Sequence, residues 1–195
     1  MLLYKKSKMR CILVIVLIIS LYKVSNADIG KETGLKIPRY ISIKSNDANI
    51  RIGPSKNYPI VLKYIKKNYP LKIIEEYQEW RKVEDFEKNT GWIHKSLISG
   101  KRTGLILSDN YGEIKVLNTI DGIAIGSVGK YNIILINKCK INWCSISINE
   151  HKGWIKKKNI WGIEKNEIYK ISFYQNIIDF YWGSINYLQN VSKKF

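Results

Sequence analysis

The chain has 195 residues, enough for one ordinary domain or two small ones. Apolar residues make up 45% and charged residues 25%, which excludes intrinsic disorder and collagen-like repeats. The 33 Lys+Arg against 16 Asp+Glu give a formal charge of +17, which raises the question of a nucleic-acid partner.

Two observations lower that reading. The chain holds 28 Lys, 17 Asn and 35 Ile, an excess that fits an AT-rich coding sequence and makes lysine partly a compositional default. The charge is also spread out, with no block of five or six like charges to mark a basic arm.

Residues 1–10 carry Lys5, Lys6, Lys8 and Arg10 with no acid. The apolar run from Cys11 to Tyr22 follows, and Ser25-Asn26-Ala27 then offers small residues at −3 and −1 of a cleavage site. This is the pattern of a secretory signal peptide over residues 1–27, so the mature chain is expected to be periplasmic or secreted. The alternative is an uncleaved inner-membrane anchor, for which the run is short of the ~20 apolar residues a spanning helix needs. Removing residues 1–27 takes away five basic residues and no acids, leaving +12. An exported chain meets little nucleic acid, and none is expected as a partner.

From residue 28 onward the sequence rhymes with itself. Trp80-Arg81-Lys82-Val83 followed by Gly91-Trp92-Ile93 is echoed by Trp143-Cys144-Ser145-Ile146 followed by Gly153-Trp154-Ile155. The offsets of 63 and 62 residues are too long for a solenoid unit and suit two copies of a small domain. Candidate strands in the first copy are residues 39–44, 48–52, 61–65, 71–77, 80–86 and 91–94. In the second they are residues 113–117, 123–127, 132–137, 143–148 and 153–155. Ile and Val dominate these runs and turn chemistry separates them, which predicts an all-β fold of two small barrels. Domain bounds of 28–102 and 103–165 follow.

Cys139 and Cys144 are the cysteines of the mature chain. If Ile141-Asn142 is a two-residue hairpin turn, the two fall opposite each other in a non-hydrogen-bonded pair, Cα atoms ~4.5 Å apart. That separation suits a disulfide, and export supplies an oxidising compartment. With His94 and His151 as the only histidines, the thiols and imidazoles do not make a four-ligand zinc set, so no metal or cofactor is expected. The carboxylates Glu75, Glu76, Glu79, Glu84, Asp85 and Glu87 sit among lysines and are expected on a solvated face. No nucleophile and base come together in this pattern, and no enzymatic activity is expected.

Residues 166–195 are expected to be a helical tail: Ile171, Tyr174, Ile178, Tyr181, Ile185 and Leu188 recur at spacings of three and four. Such a helix would pack on the barrels, lie on a membrane surface or self-associate.

The segment Asn49-Ile50-Arg51-Ile52-Gly53-Pro54-Ser55, followed by Tyr58-Pro59-Ile60, resembles the opening motif of bacterial SH3-like (SH3b) domains. Trp80-Arg81-Lys82-Val83 and Gly91-Trp92-Ile93-His94-Lys95-Ser96 resemble the middle and closing motifs. The second copy keeps Trp143, Gly153-Trp154 and Trp161-Gly162 but lacks Arg-x-Gly-Pro. The pair, over about residues 35–167, is similar to tandem SH3-like exported proteins of alphaproteobacteria. The resemblance implies a shallow aromatic groove that binds extended peptides or cell-wall stem peptides. Alternation along the strand puts Val83 inward and Trp80 with Lys82 on the opposite face. Tyr58, Trp80 and Trp92 are then the candidates for stacking, with Arg51 and Lys82 as charge contacts. The functional expectation is an envelope protein that binds peptidoglycan or peptide segments of other envelope proteins. The alternative is a structural or targeting subunit docking on a membrane or protein partner through its C-terminal helix.

Overall fold

The computed structural model describes residues 28–107 and 112–170; the expected signal peptide and the helical seam from Ile171 to Leu188 lie outside the described residues. The described chain is all-β. The first copy contributes β1 (Arg39–Ile43), β2 (Ala48–Arg51), β3 (Ile60–Tyr64), β4 (Pro70–Tyr77), β5 (Trp80–Glu84), β6 (Thr90–His94) and β7 (Ile98–Ser99). The second contributes β8 (Thr103–Ile106), β9 (Ile114–Leu117), β10 (Ala124–Val128), β11 (Ile133–Cys139), β12 (Trp143–Ile148), β13 (His151–Lys156), β14 (Ile160–Trp161) and β15 (Tyr169–Lys170). A 3₁₀ turn precedes β7 (Lys95–Leu97) and another precedes β14 (Lys157–Asn159).

The repeat in sequence is a repeat in topology. The sheets run β3-β2-β6-β5-β4-β1-β7 and β10-β9-β13-β12-β11-β8-β14, the same order strand for strand, with β15 added beside β11. Each sheet closes over its own core because one face of every strand is aliphatic. Ile41, Ile43, Ile50, Leu71, Ile73, Val83 and Ile93 form one cluster, and Ile106, Ile134, Ile136, Ile146, Ile155 and Ile160 form the other. Val83 and Ile146 point inward as their alternation predicts.

In each sheet the join of β2 to β6, and of β9 to β13, falls beside a glycine. A Cβ on Gly91 would lie 2.3 Å from Ile50 Cγ2 and 2.9 Å from the Arg51 carbonyl oxygen. A Cβ on Gly153 would lie 2.2 Å from Val116 Cγ1 and 3.0 Å from the Leu117 carbonyl oxygen. The Gly-Trp pairs of the sequence therefore mark the seam where two backbones approach too closely for a side chain.

A bulge shapes the central hairpin of each copy. Register slips between Ile73 and Glu75 in β4, and between Ile136 and Lys138 in β11. The extra residue reverses the faces beyond it, so Glu75 and Lys138 point out while Glu76 and Cys139 point in. Cys139 pairs with Cys144, their Cα atoms 4.1 Å apart, and a disulfide joins them. Lys140 N donates to the Trp143 carbonyl at 2.8 Å, which is the expected two-residue turn. Glu76 pairs with Arg81 at the equivalent place in the first copy.

This corrects the expectation of a solvated acidic face. Glu76 is 6% and Asp85 3% exposed. Glu76 accepts hydrogen bonds from Arg39 (2.6 Å), the Thr33 hydroxyl (2.8 Å) and the backbone N–H groups of Thr33 (3.0 Å) and Glu32 (3.1 Å). Its Oε1 also lies 3.5 Å from Arg81 Nε. Asp85 accepts from Tyr64, Glu87 N and Asn89 and so organises the β5–β6 turn. Glu75, Glu79 and Glu84 do pair with lysines at the surface.

The second sheet extends past residue 165, where the tail was expected to begin. Tyr169 pairs with Cys139, so residues 169–170 are strand. Arg102 ties this return: it donates to Glu167 at 2.6 and 3.1 Å and to the Gly162 carbonyl at 3.1 Å. Its guanidinium also lies 5.9 Å from the Tyr40 ring of the first barrel, whose edge meets Trp161 at 5.2 Å. With the Lys72–Glu164 pair at 2.8 Å, these contacts join the two barrels.

The buried Glu76 network and the Cys139–Cys144 disulfide respond to different conditions. Burial alone would raise the Glu76 pKa, but the hydrogen bonds from Arg39, Thr33 and the Thr33 and Glu32 amides outweigh it and hold it at about 2, below the ordinary 4.5. A depressed folded pKa stabilises above the unfolded value and is lost as pH falls, so acid from about pH 4.5 to 2 removes on the order of 3 kcal/mol. Glu76→Gln flattens that slope in pH-dependent denaturant unfolding. The disulfide has no such pH dependence; reductant at neutral pH instead costs roughly 2 kcal/mol for its six-residue loop.

Candidate functional site

The site is built on the bulged hairpin and the loop between β2 and β3. In that loop Arg51 Nη1 donates to the Tyr58 carbonyl at 2.7 Å. Ser55 N donates to the Gly53 carbonyl at 2.9 Å, and Tyr58 N to the Ser55 carbonyl at 3.3 Å. A Cβ on Gly53 would stand 2.6 Å from the Tyr58 ring. The Arg-x-Gly-Pro motif thus works as a bracket: arginine fixes the loop end, and the bare glycine receives the tyrosine ring.

Cross-strand pairing sets the rest in two rows. Arg51 pairs with Trp92, Trp92 with Lys82 and Lys82 with Glu75. The neighbouring row runs His94, Trp80, Tyr77. Lys82 Nζ stands 6.0 Å from the Trp92 ring centre and 3.4 Å from Glu75 Oε2, while Tyr77 meets Trp92 edge-on at 6.5 Å. His94 meets Trp80 edge-on at 5.4 Å, and its Nδ1 is 2.8 Å from Ser96 Oγ.

An open cleft of about 580 Å³ lies over the second row, lined by Ser55, Tyr58, Tyr77, Glu79, Trp80 and His94 among others. Of the five residues singled out in the sequence, Tyr58 and Trp80 line this cleft. Arg51, Trp92 and Lys82 lie in the adjoining row and support it, Arg51 with its guanidinium turned to the loop carbonyl. Trp80 and Trp92 are each only 8% exposed, so they form floor and backing, whereas Tyr58 at 44% and Tyr77 at 49% present ring surface. Sequence reasoning missed Tyr77 and gave His94 no role here. The signal was the Gln78-Glu79 turn, with Gln78 at φ 47°, which sets Tyr77 directly across from Trp80.

The same position in the second barrel has different chemistry. Trp143 pairs with Lys156, whose ammonium lies 5.8 Å from the indole. Trp154 pairs with Ser145 and Leu117 and has the ammonium groups of Lys138 and Lys140 at 5.3 and 5.9 Å. Leucine thus stands where the first copy has Arg51, and the β9–β10 loop lacks the bracket that presents Tyr58.

No curated protein matches the chain. Among solved structures, NlpC2 from Trichomonas vaginalis matches at 12% identity and a TM-score of 0.28, covering 64% of this chain and 48% of that one. An NlpC/P60 family protein from Bacillus cereus matches at 8% identity and a TM-score of 0.28, covering 67% and 56%. The chain spans about half the length of these structures, and likenesses of this degree carry no argument about activity. The bacterial SH3 domain model matches residues 44–100 and 133–162, which are β2–β7 and β11–β14. Those are the strands that carry the repeated motifs, and over these residues both copies are similar to the bacterial SH3 domain family.

Proposed function

We propose that the chain is an exported, non-enzymatic binding protein of the bacterial envelope whose first barrel grips peptidoglycan or an extended peptide segment. One observation carries this reading: the cleft between the β2–β3 loop and the β4–β5 hairpin, where two half-exposed tyrosines flank the Trp80 floor. An extended chain laid there meets ring faces on both sides and hydrogen-bonding groups in Ser55, Glu79 and His94. The cell-wall role that the SH3-like resemblance implies, and the signal-peptide pattern of residues 1–27, support the same setting. The diffuse positive charge favours an anionic wall through screened, long-range attraction.

Co-sedimentation with purified peptidoglycan tests the proposal. The protein pellets with the wall, and Tyr58→Ala/Tyr77→Ala weakens binding about tenfold, at ~0.5–1.5 kcal/mol per exposed ring. Because both rings are half-exposed, that variant keeps its thermal unfolding midpoint. Trp80→Ala instead removes a buried indole and costs ~3–5 kcal/mol of stability, so its loss of binding is not diagnostic. No pelleting, or equal pelleting by the double tyrosine variant, refutes the proposal.

A further inference from the structure

A cleft of the second barrel overlaps the place of the first-barrel cleft and reverses its character. It lies over Trp143, has a volume of about 800 Å³, and is lined by Asp121, Asn142, Lys156, Lys157, Lys158 and Lys165 among others. The two clefts share the hairpin tip and the indole, while Lys158, Ile160, Ile163 and Lys165 extend the second one toward β14 and beyond. Lys95 N donates to the Glu79 carbonyl and Lys157 N to the Asn142 carbonyl, both at 2.8 Å, so Asn142 stands where the first copy has Glu79. By pairing with the indole that both copies share, Lys140 stands for Tyr77 and Lys156 for His94. Each of these three differences adds a positive charge or removes a negative one. A general excess of lysine acts on both copies alike, so it does not account for a difference between equivalent places.

The lysines divide by role. Lys157 is buried, and its Nζ donates to the carbonyls of Glu167 at 2.7 Å and Lys165 at 3.3 Å, which holds the return toward β15 against the barrel. Lys140, Lys156, Lys158 and Lys165 are exposed, and among the described residues none of them pairs with a carboxylate. The acid lining the cleft is Asp121. No arginine lines it, so the charges are compact ammonium groups on flexible stems, suited to the several oxygens of a phosphoryl group rather than to the planar fork of a carboxylate.

An apolar residue stands at the rim. Ile141, at the tip of the β11–β12 hairpin, is 70% exposed and lies next to Lys140. An exposed aliphatic tip ringed by ammonium groups beside an indole is the arrangement that meets a lipid surface, the tip entering the acyl boundary while lysines reach the headgroups. We propose that this cleft holds the phosphodiester headgroup of an anionic phospholipid, with Ile141 at the membrane surface. The two barrels then face different materials of the envelope, and the proposal does not depend on what the first barrel binds.

Calorimetric titration of the full chain with monomeric short-chain phosphatidylglycerol, with the matching phosphatidylcholine and glycerol phosphate as separate arms, tests it. Phosphatidylglycerol binds at least about tenfold more tightly than either of the others. Lys156→Glu/Lys158→Glu abolishes that binding, whereas Lys66→Glu/Lys67→Glu, an equal change in charge on exposed first-barrel lysines, leaves it intact. Ile141→Ser weakens phosphatidylglycerol binding several-fold without a change in charge and leaves glycerol phosphate unaffected. Unchanged thermal midpoints establish that the variants are folded. Equal loss in both charge variants refutes the site and leaves only diffuse attraction. Glycerol phosphate binding as tightly as the lipid, with no effect of Ile141→Ser, refutes the lipid and makes the ligand a free phosphate.

Discussion

The structure depends on one cross-strand tie beneath a bulge. In each barrel an extra residue in the fourth strand turns the next residues over, and a side chain that would face solvent faces the core instead. Position 76 in the first copy and position 139 in the second are the same place, and each is bound to the residue across the hairpin. In one barrel the bond is the buried ion pair of Glu76 with Arg81, and in the other it is the Cys139–Cys144 disulfide. Both hold the base of a hairpin whose second strand opens with a tryptophan, Trp80 or Trp143. A buried carboxylate without partners would be costly, so Glu76 draws in Arg39, Thr33 and the amides of residues 32 and 33 as well. The covalent tie needs none of that retinue.

Because the tie fixes the hairpin, the cleft above it is free to vary. The floor is an indole in both copies, but at and beside the cleft three equivalent places differ. In the first barrel the arginine bracket and Gly53 add a tyrosine from the loop, and the Gln78-Glu79 turn adds Tyr77 opposite. In the second barrel the bracket is missing and lysines take the places of Tyr77 and His94. One scaffold duplicated in this way presents an aromatic cleft and a basic one.

Much of this was legible in the sequence. Alternating Ile and Val runs bounded by turn residues located eleven strands to within a few residues, and the repeated Gly-Trp marked the seam of each barrel. The cysteine register followed from the two-residue turn. The bulges were not legible, since one extra residue in a run of Ile, Asn, Lys and Glu leaves no mark on composition, and so the burial of Glu76 was missed. β8 (Thr103–Ile106) was not among the eleven strands, and its Gly104 offers no alternation to mark a strand. In the structure it is a close approach, where a Cβ would lie 2.5 Å from Ile160 Cγ2. Asp85 likewise carries no sequence signal for its burial, which arises from Tyr64, 21 positions away.

The division of labour between the two clefts has one direct test. The indole N–H resonances of Trp80 and Trp143 can be followed in a single sample of the labelled protein as soluble peptidoglycan fragments are added. Trp80 is predicted to shift and saturate while Trp143 stays in place. Movement of Trp143 in step with Trp80, or a stationary Trp80, would contradict the assignment of wall binding to the first barrel.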